Sequence, residues 1–334
     1  YTLSLHDALP ICTVIFTARN PLLTSVRTNV RNRLALWLVS AALRLCAWLP
    51  LETARALGRW FGARYWALDT RRRRIVERNI ALAYPQLPTS EQRLLVRQTL
   101  EETGALAAEM GHVWLLPWHK SEKLIVETQG TDAVQAALRA GKGVIVLGPH
   151  LGNWEILGLH LATLGDMVAL YKPAKIPQLD GLIRRSRERS GGRLVATDPR
   201  GIAAIVKSVK RGGISGILPD QVPDTEVGAL NVPFMGVKCA TAALGVNLIN
   251  RAGALGFMGA AFRVPGGFKV TYVPAPDALY VDDAATALTA MNKAIEALLD
   301  GYDAQYQWLY KRFRCRPQGQ NDHYRTIKTP RIPE

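Results

Sequence analysis

The stretch Val144-Ile145-Val146-Leu147-Gly148-Pro149-His150-Leu151-Gly152-Asn153-Trp154-Glu155 decides the fold. Four uninterrupted apolar residues, three of them β-branched, read as a strand covered on both faces, because a half-exposed strand would alternate with polar positions. Glycine and proline then punctuate the chain, Asn153 is a helix-capping residue type, and Ile156–Leu164 reads as the following helix. The same alternation continues outward. Met167–Leu170, Ile214–Leu218, Leu255–Phe262 and Phe268–Val273 read as strands, and Asp132–Ala140, Leu179–Ser190 and Ile202–Arg211 as helices. Short apolar strands alternating with helices of about ten residues predict an α/β fold with a mainly parallel central sheet flanked by helices. Ligands of such sheets bind beyond the carboxyl ends of the strands, so the polar residues just after each strand are the first candidates for chemistry.

After strand 144–147 those residues are His150 and Glu155. Five positions apart on one continuous helix they would point in different directions. With His150 in the strand-to-helix turn and Glu155 in the first helical turn, the chain folds back and they can meet. Gly148 and Gly152 offer the permissive backbone such a turn needs. A carboxylate on one imidazole nitrogen fixes the tautomer and makes the other nitrogen a better base for a hydroxyl proton. With six histidines and 27 acidic residues in 334 positions the bare spacing carries no weight; the placement after a buried strand does. The competing reading is a loop histidine that caps a helix or is hydrogen-bonded in the core. No Gly-x-Ser-x-Gly elbow, GxxxxGK loop or GxGxxG fingerprint occurs, and His6, His112, His119, His160 and His323 show no zinc-ligand spacing.

Toward the N-terminus, residues 34–51 form the most hydrophobic segment, close to the roughly 20 residues that span a bilayer. Arg44 lies mid-run, at a cost of about 2.5–3.5 kcal/mol if it reached the bilayer centre. Trp37 and Trp48 are the residue type that settles at the headgroup level, and arginines flank the run on both sides. A single weak span, an interfacial helix and a buried helix of a soluble core all remain open, with membrane attachment favoured. Residues 1–29 read as a non-native or disordered N-terminus, 30–70 as the membrane-associating helical segment, 71–325 as the α/β domain and 326–334 as a tail. A further helix is expected from Glu91 to Met110, capped by Thr89 or Ser90. Cys12, Cys46, Cys239 and Cys315 are too scattered for a disulfide framework, which fits a reducing compartment.

The string GPHLGNWE resembles the His-x-x-x-x-Asp/Glu signature of the glycerolipid acyltransferase superfamily, and specifically its late lipid A acyltransferase branch. Five further stretches resemble that branch in order. They are Arg74–Ile80 leading to Tyr84-Pro85, Tyr171-Lys172-Pro173, Asp220-Gln221, Pro233-Phe234-Met235-Gly236 and Trp308-Leu309-Tyr310-Lys311-Arg312-Phe313. The resemblance implies a glycerol-3-phosphate acyltransferase-like fold and transfer of a fatty acyl chain from acyl carrier protein to a hydroxyl of a Kdo-bearing lipid A precursor. It implies His150 as general base, Glu155 as its orienting group, and Lys172, Asp220, Asn153 and Gln221 as substrate-binding residues. Lys172 stands where the branch carries arginine, so a point charge replaces a two-pronged fork. It further implies no cofactor beyond the acyl carrier protein co-substrate, no metal, and a place on the cytoplasmic face of the inner membrane.

The charge balance agrees with such partners. Forty-two Lys and Arg against 27 Asp and Glu give +15, gathered in runs such as Arg71–Arg74, Arg184-Arg185-Arg187-Arg189, Lys207-Lys210-Arg211 and Lys311-Arg312-Arg314-Arg316. That field attracts anionic phospholipid, a phosphorylated glycolipid and an acidic carrier protein. Nucleic acid is the rival anion, but no zinc finger, RRM motif or aromatic-basic pattern accompanies the charge. Two alternatives stand beside the main reading: the same chemistry on a phosphatidylinositol mannoside or lysophospholipid, and a non-catalytic basic protein binding membranes or nucleic acid.

Overall fold

The computed structural model describes residues 25–174, 177–222, 228–314 and 322–327. The expected features at Cys12 and Cys315, and most of the proposed N-terminal remnant and C-terminal tail, lie outside them. At the centre is a five-stranded sheet in the order β1 (Ile125–Gln129), β9 (Gly267–Pro274), β8 (Leu255–Val264), β2 (Val144–Leu147), β5 (Ile214–Ile217). Every pairing is parallel except the β8–β9 hairpin. Beyond β5, the parallel pair β3 (Val168–Tyr171) and β4 (Arg193–Ala196) joins through a bridge between Met167 and Ile214. Helices cover both faces. On one, Ile145, Leu147 and Met258 pack with Ile205, Val246 and Ile295; on the other, Val144, Val146 and Phe257 pack with Met110, Val134 and Leu157. Burial on both faces is what the unbroken apolar run of β2 requires.

The N-terminal part differs from the expectation. Helix α1 begins at Ser25, ahead of the anticipated boundary at 30, and stops at Trp48; α2 runs Leu51–Trp66. The apolar run 34–51 is therefore broken at Leu49-Pro50, because proline lacks the N–H that would continue a helix but suits its start. Among the described residues no helix is long and apolar enough to cross a membrane. Helix α2 packs against α4 (Thr89–Leu115), which extends one turn past the expected end at Met110. Backbones meet where Gly58 faces Gly104: a Cβ on Gly58 would lie 2.3 Å from the Gly104 carbonyl oxygen.

Helix α3 (Arg71–Ala83) is capped by Thr70, whose hydroxyl accepts from the Arg73 N–H. From its buried face Asn79 donates to the carbonyls of Trp308 (2.6 Å) and Tyr310 (2.7 Å). That bond joins the two motifs at the ends of the domain, so the C-terminal segment is fixed against the helical layer.

Candidate active site

Strands β2 and β5 are parallel neighbours, with Leu147 opposite Ile217. Three residues beyond each partner come His150 and Asp220. Their equal offset past a shared register places them side by side: His150 Nδ1 lies 2.7 Å from Asp220 Oδ1, and the His150 backbone N–H donates to Oδ2 at 2.9 Å. The carboxylate that orients the imidazole is thus Asp220, and the expected His150–Glu155 contact does not form. Asn153 explains why. Its side chain accepts from the Ile156 N–H and starts α7 (Trp154–Leu164), so Glu155 falls in the first turn on the face toward α8 (Pro177–Glu188). There both its oxygens accept from Arg187, at 2.8 Å from Nε and 2.5 Å from Nη2.

The turn itself is tightly determined. Gly152 has φ of +61°, and a Cβ there would sit 2.1 Å from the Ala261 carbonyl oxygen, so glycine is required. Gly148 keeps an ordinary backbone; its missing side chain makes room for Leu157 instead. The C-terminal segment closes over the turn, with the Gln307 N–H donating to the His150 carbonyl (3.0 Å) and the Gly152 N–H to Gln305 (3.2 Å).

Asp220 is held ionised. Burial pushes its pKa up, but the neighbouring imidazole and the hydrogen bonds from His150 outweigh that and leave it below the ordinary carboxylate value. The Tyr306 hydroxyl also bonds Asp220, and burial beside that charge drives the phenol's pKa well up. Arg312, 1% exposed and fixed by the Ala240 carbonyl (2.8 Å) and Thr241 Oγ1 (3.1 Å), adds a positive charge that also favours the Asp220 carboxylate.

A cavity of about 190 Å³ adjoins this arrangement, between α7, α8 and strands β3–β5. Its wall is mostly apolar, with Leu161, Met167 and Ile183 among the lining residues, and its polar members include Glu155, Lys172, Arg187 and Gln221. His150 does not line it. The imidazole is 1% exposed, one side-chain layer behind Trp154, whose ring meets it edge-on at 5.0 Å, and Gln221, whose Nε2 lies 3.3 Å from His150 Nε2. Gln221 thus touches both the imidazole and the cavity.

The residues 10–315 match the family described as bacterial lipid A biosynthesis acyltransferase. The chain belongs to this family. It is 26% identical over 291 residues to the lipid A biosynthesis lauroyltransferase of Escherichia coli K12, covering 86% of this chain and 94% of that one. It is equally similar, over the same shares, to the lipid A biosynthesis palmitoleoyltransferase of the same organism. A lipid A biosynthesis acyltransferase of Haemophilus influenzae is 25% identical over 292 residues, 84% of this chain and 90% of that one.

Within the lipid A acyltransferase chain the expected site residues divide. Lys172, Gln221 and Glu155 line the cavity; Asp220 supports the histidine from behind. Asn153 is fully buried and donates to Glu109 Oε2 (3.0 Å) while capping α7, so its visible work is to hold the turn rather than to face the cavity. In the sequence Arg187 stands out only as part of a basic run. Its role as partner of Glu155 depends on how α7 and α8 pack, and spacing along the chain carries no trace of that.

Proposed function

We propose that the protein transfers a fatty acyl chain from acyl carrier protein to a hydroxyl of a Kdo-bearing lipid A precursor at the cytoplasmic face of the inner membrane. One observation carries the reading: an imidazole paired with a buried carboxylate, one side chain away from an apolar cavity. Family membership supplies the acyl transfer in lipid A biosynthesis; the donor and acceptor are this proposal's own.

In this reading Asp220 accepts from Nδ1–H of His150 and leaves the Nε2 lone pair as the base. The Gln221 amide, which occupies that lone pair, yields its place to the acceptor hydroxyl. Nε2 takes the hydroxyl proton as oxygen attacks the thioester carbonyl. The carbon–sulfur bond then breaks, and the proton passes to the departing thiolate, giving an ester and a free thiol. A thioester is already activated, so no serine or cysteine intermediate is needed. The acyl chain lies in the cavity. Arg187, held by both oxygens of Glu155, is a fixed cation suited to charge developing on the carbonyl oxygen, and Lys172 adds a second positive charge for a phosphorylated acceptor. The two relatives of equal identity are named for different acyl chains, so overall identity does not choose the chain.

The test is mass spectrometry of product from purified protein, acyl carrier protein thioesters and lipid A precursor. Wild type is expected to add one acyl group, and His150→Ala to lose transfer with an unchanged circular dichroism spectrum. A His150→Ala protein with most of its activity would overturn the assignment of the base. Product formed only on a lysophospholipid would overturn the acceptor.

A further inference from the structure

Gly158 sits in the middle of α7, one turn beyond Glu155 and one turn before Leu161, and all three line the cavity. Every other residue from Trp154 to Ala162 is buried; Gly158 alone is half-exposed, because it faces the hollow. Its backbone is ordinary helix, absent from the glycines with positive φ. A Cβ built on it would meet no atom within 4 Å. The helix therefore gives no steric or conformational reason for glycine, and alanine would favour the helix more. What glycine leaves is room. Across the cavity, Gly216 on β5 is also half-buried, and its Cβ would come 3.5 Å from Leu161 Cδ1 and 3.7 Å from Met167 Cε. A methyl group there would close the gap between the strand and two side chains that line the cavity.

We propose that Gly158 and Gly216 are specificity-determining residues, whose missing side chains set how long an acyl chain the cavity accepts. This rests on the acyl-transfer reading and adds to it the residues that choose the substrate. Side chains at 158 or 216 would take volume that distal methylenes otherwise fill. Each methylene excluded loses its burial, so discrimination rises with chain length.

The experiment compares wild type with Gly158→Leu, Gly158→Ala and Gly216→Ala on acyl carrier protein thioesters from octanoyl to hexadecanoyl. The kcat/KM ratio of tetradecanoyl to octanoyl is expected to fall by about tenfold in Gly158→Leu, as two or more methylenes lose their burial. Smaller falls in the same direction are expected for the two alanine variants, and Gly158→Ala should melt at or above the wild-type temperature. An unchanged ratio in folded variants, or an equal loss at every length, overturns the proposal. Should the leucine variant fail to fold, the alanine variants carry the test. Displacement of a fluorescent fatty acid by free fatty acids of the same lengths separates this proposal from the one beneath it. Length-selective binding that shifts in the variants, in a wild type that transfers no acyl group, sinks the transferase reading and keeps the cavity assignment. Transfer with binding indifferent to residues 158 and 216 does the reverse.

Discussion

At the scale of the residue, the site turns on three side chains beyond the ends of two neighbouring strands. In the proposed transfer, Asp220 fixes the tautomer of His150 and balances the imidazolium that forms. Asp220→Asn is expected to leave the packing intact while lowering kcat by roughly 10²–10⁴-fold, since an amide can hold the wrong tautomer and carries no charge; steady-state rates check it. The pH dependence follows from the depressed Asp220 pKa. A carboxyl whose folded pKa lies below its unfolded value contributes stability above the ordinary carboxylate range, about 4, and loses it as pH falls through the folded value. Wild type should therefore lose more stability than Asp220→Asn on acidification below about pH 4, as read by urea midpoints across that range. Gln221 has a different place. It covers Nε2 and lines the cavity, so Gln221→Ala is expected to cost less than about tenfold in kcat/KM, far less than Asp220→Asn. A loss as large as that of His150→Ala would show that the amide holds the imidazole rather than screening it.

At the scale of the element, a buried ion network ties the helical layer to the turn that carries His150. Glu109 on α4, with no exposed surface, accepts from Arg55 of α2 (2.7 Å), Arg263 of β8 (2.6 Å) and Asn153 (3.0 Å). Burial raises the Glu109 pKa, and the two guanidinium charges outweigh it to leave the group ionised. Arg55 also donates to the carbonyls of Val264 and Gly267, both at 2.8 Å, at the β8–β9 turn. Removing the carboxylate takes the buried partner from both guanidinium groups, which keep Glu52 (2.7 Å from Arg55) and Glu102 (2.9 Å from Arg263), so Glu109→Ala should cost less in urea unfolding than the about 3–5 kcal/mol of a wholly unpaired buried ion, and Asn153→Ala less again. The same network shows where sequence reading reaches its limit. Strand β2 falls on the expected residues because four apolar side chains need cover on both faces; helices 131–139 and 199–210 lie close to the expected 132–140 and 202–211, the second starting three residues early because Asp198, which the sequence reading passes over, caps it by accepting from the Gly201 N–H. Strands β6 (Ala229–Phe234) and β7 (Val237–Ala242) were missed: Pro233 argues against a strand, and the hairpin turns at Met235-Gly236, both with positive φ. The partner of His150 was missed for a topological reason. Asp220 lies 70 residues away, and nothing local says that β5, rather than another strand, lies beside β2. Glu155 looked nearer only because distance along the chain is what a sequence displays.

At the scale of the molecule, the apolar surface is unevenly spread. Trp37, Leu38, Leu45 and Trp48 of α1 are at least half exposed, Trp48 to 80%, and so are Trp60, Phe61 and Leu68 on and after α2. Arg64 stacks over the Trp60 ring at 5.0 Å, and Arg44 lies exposed among the α1 aromatics. Tryptophan and arginine interleaved on a helical surface match a headgroup layer better than either a hydrocarbon core or bulk water. The break at Pro50 agrees, because it divides the apolar run between two helices and leaves neither as an unbroken apolar span. The membrane-associating segment expected from the sequence, 30–70, covers both helices, and contact with a membrane surface is the prediction to test. Vesicles containing anionic phospholipid should bind the protein, and Trp48→Ser with Trp60→Ser should weaken partitioning at least about tenfold, each indole adding apolar area to the buried face. Raising salt should weaken binding further, since part of the attraction comes from the +15 charge. The cavity proposed for the acyl chain is lined by residues 146–244 and not by α1 or α2, so transfer to a detergent-solubilised acceptor should survive these two substitutions. Loss of transfer in detergent equal to the loss on vesicles would show that the patch supports the catalytic fold and not a membrane contact.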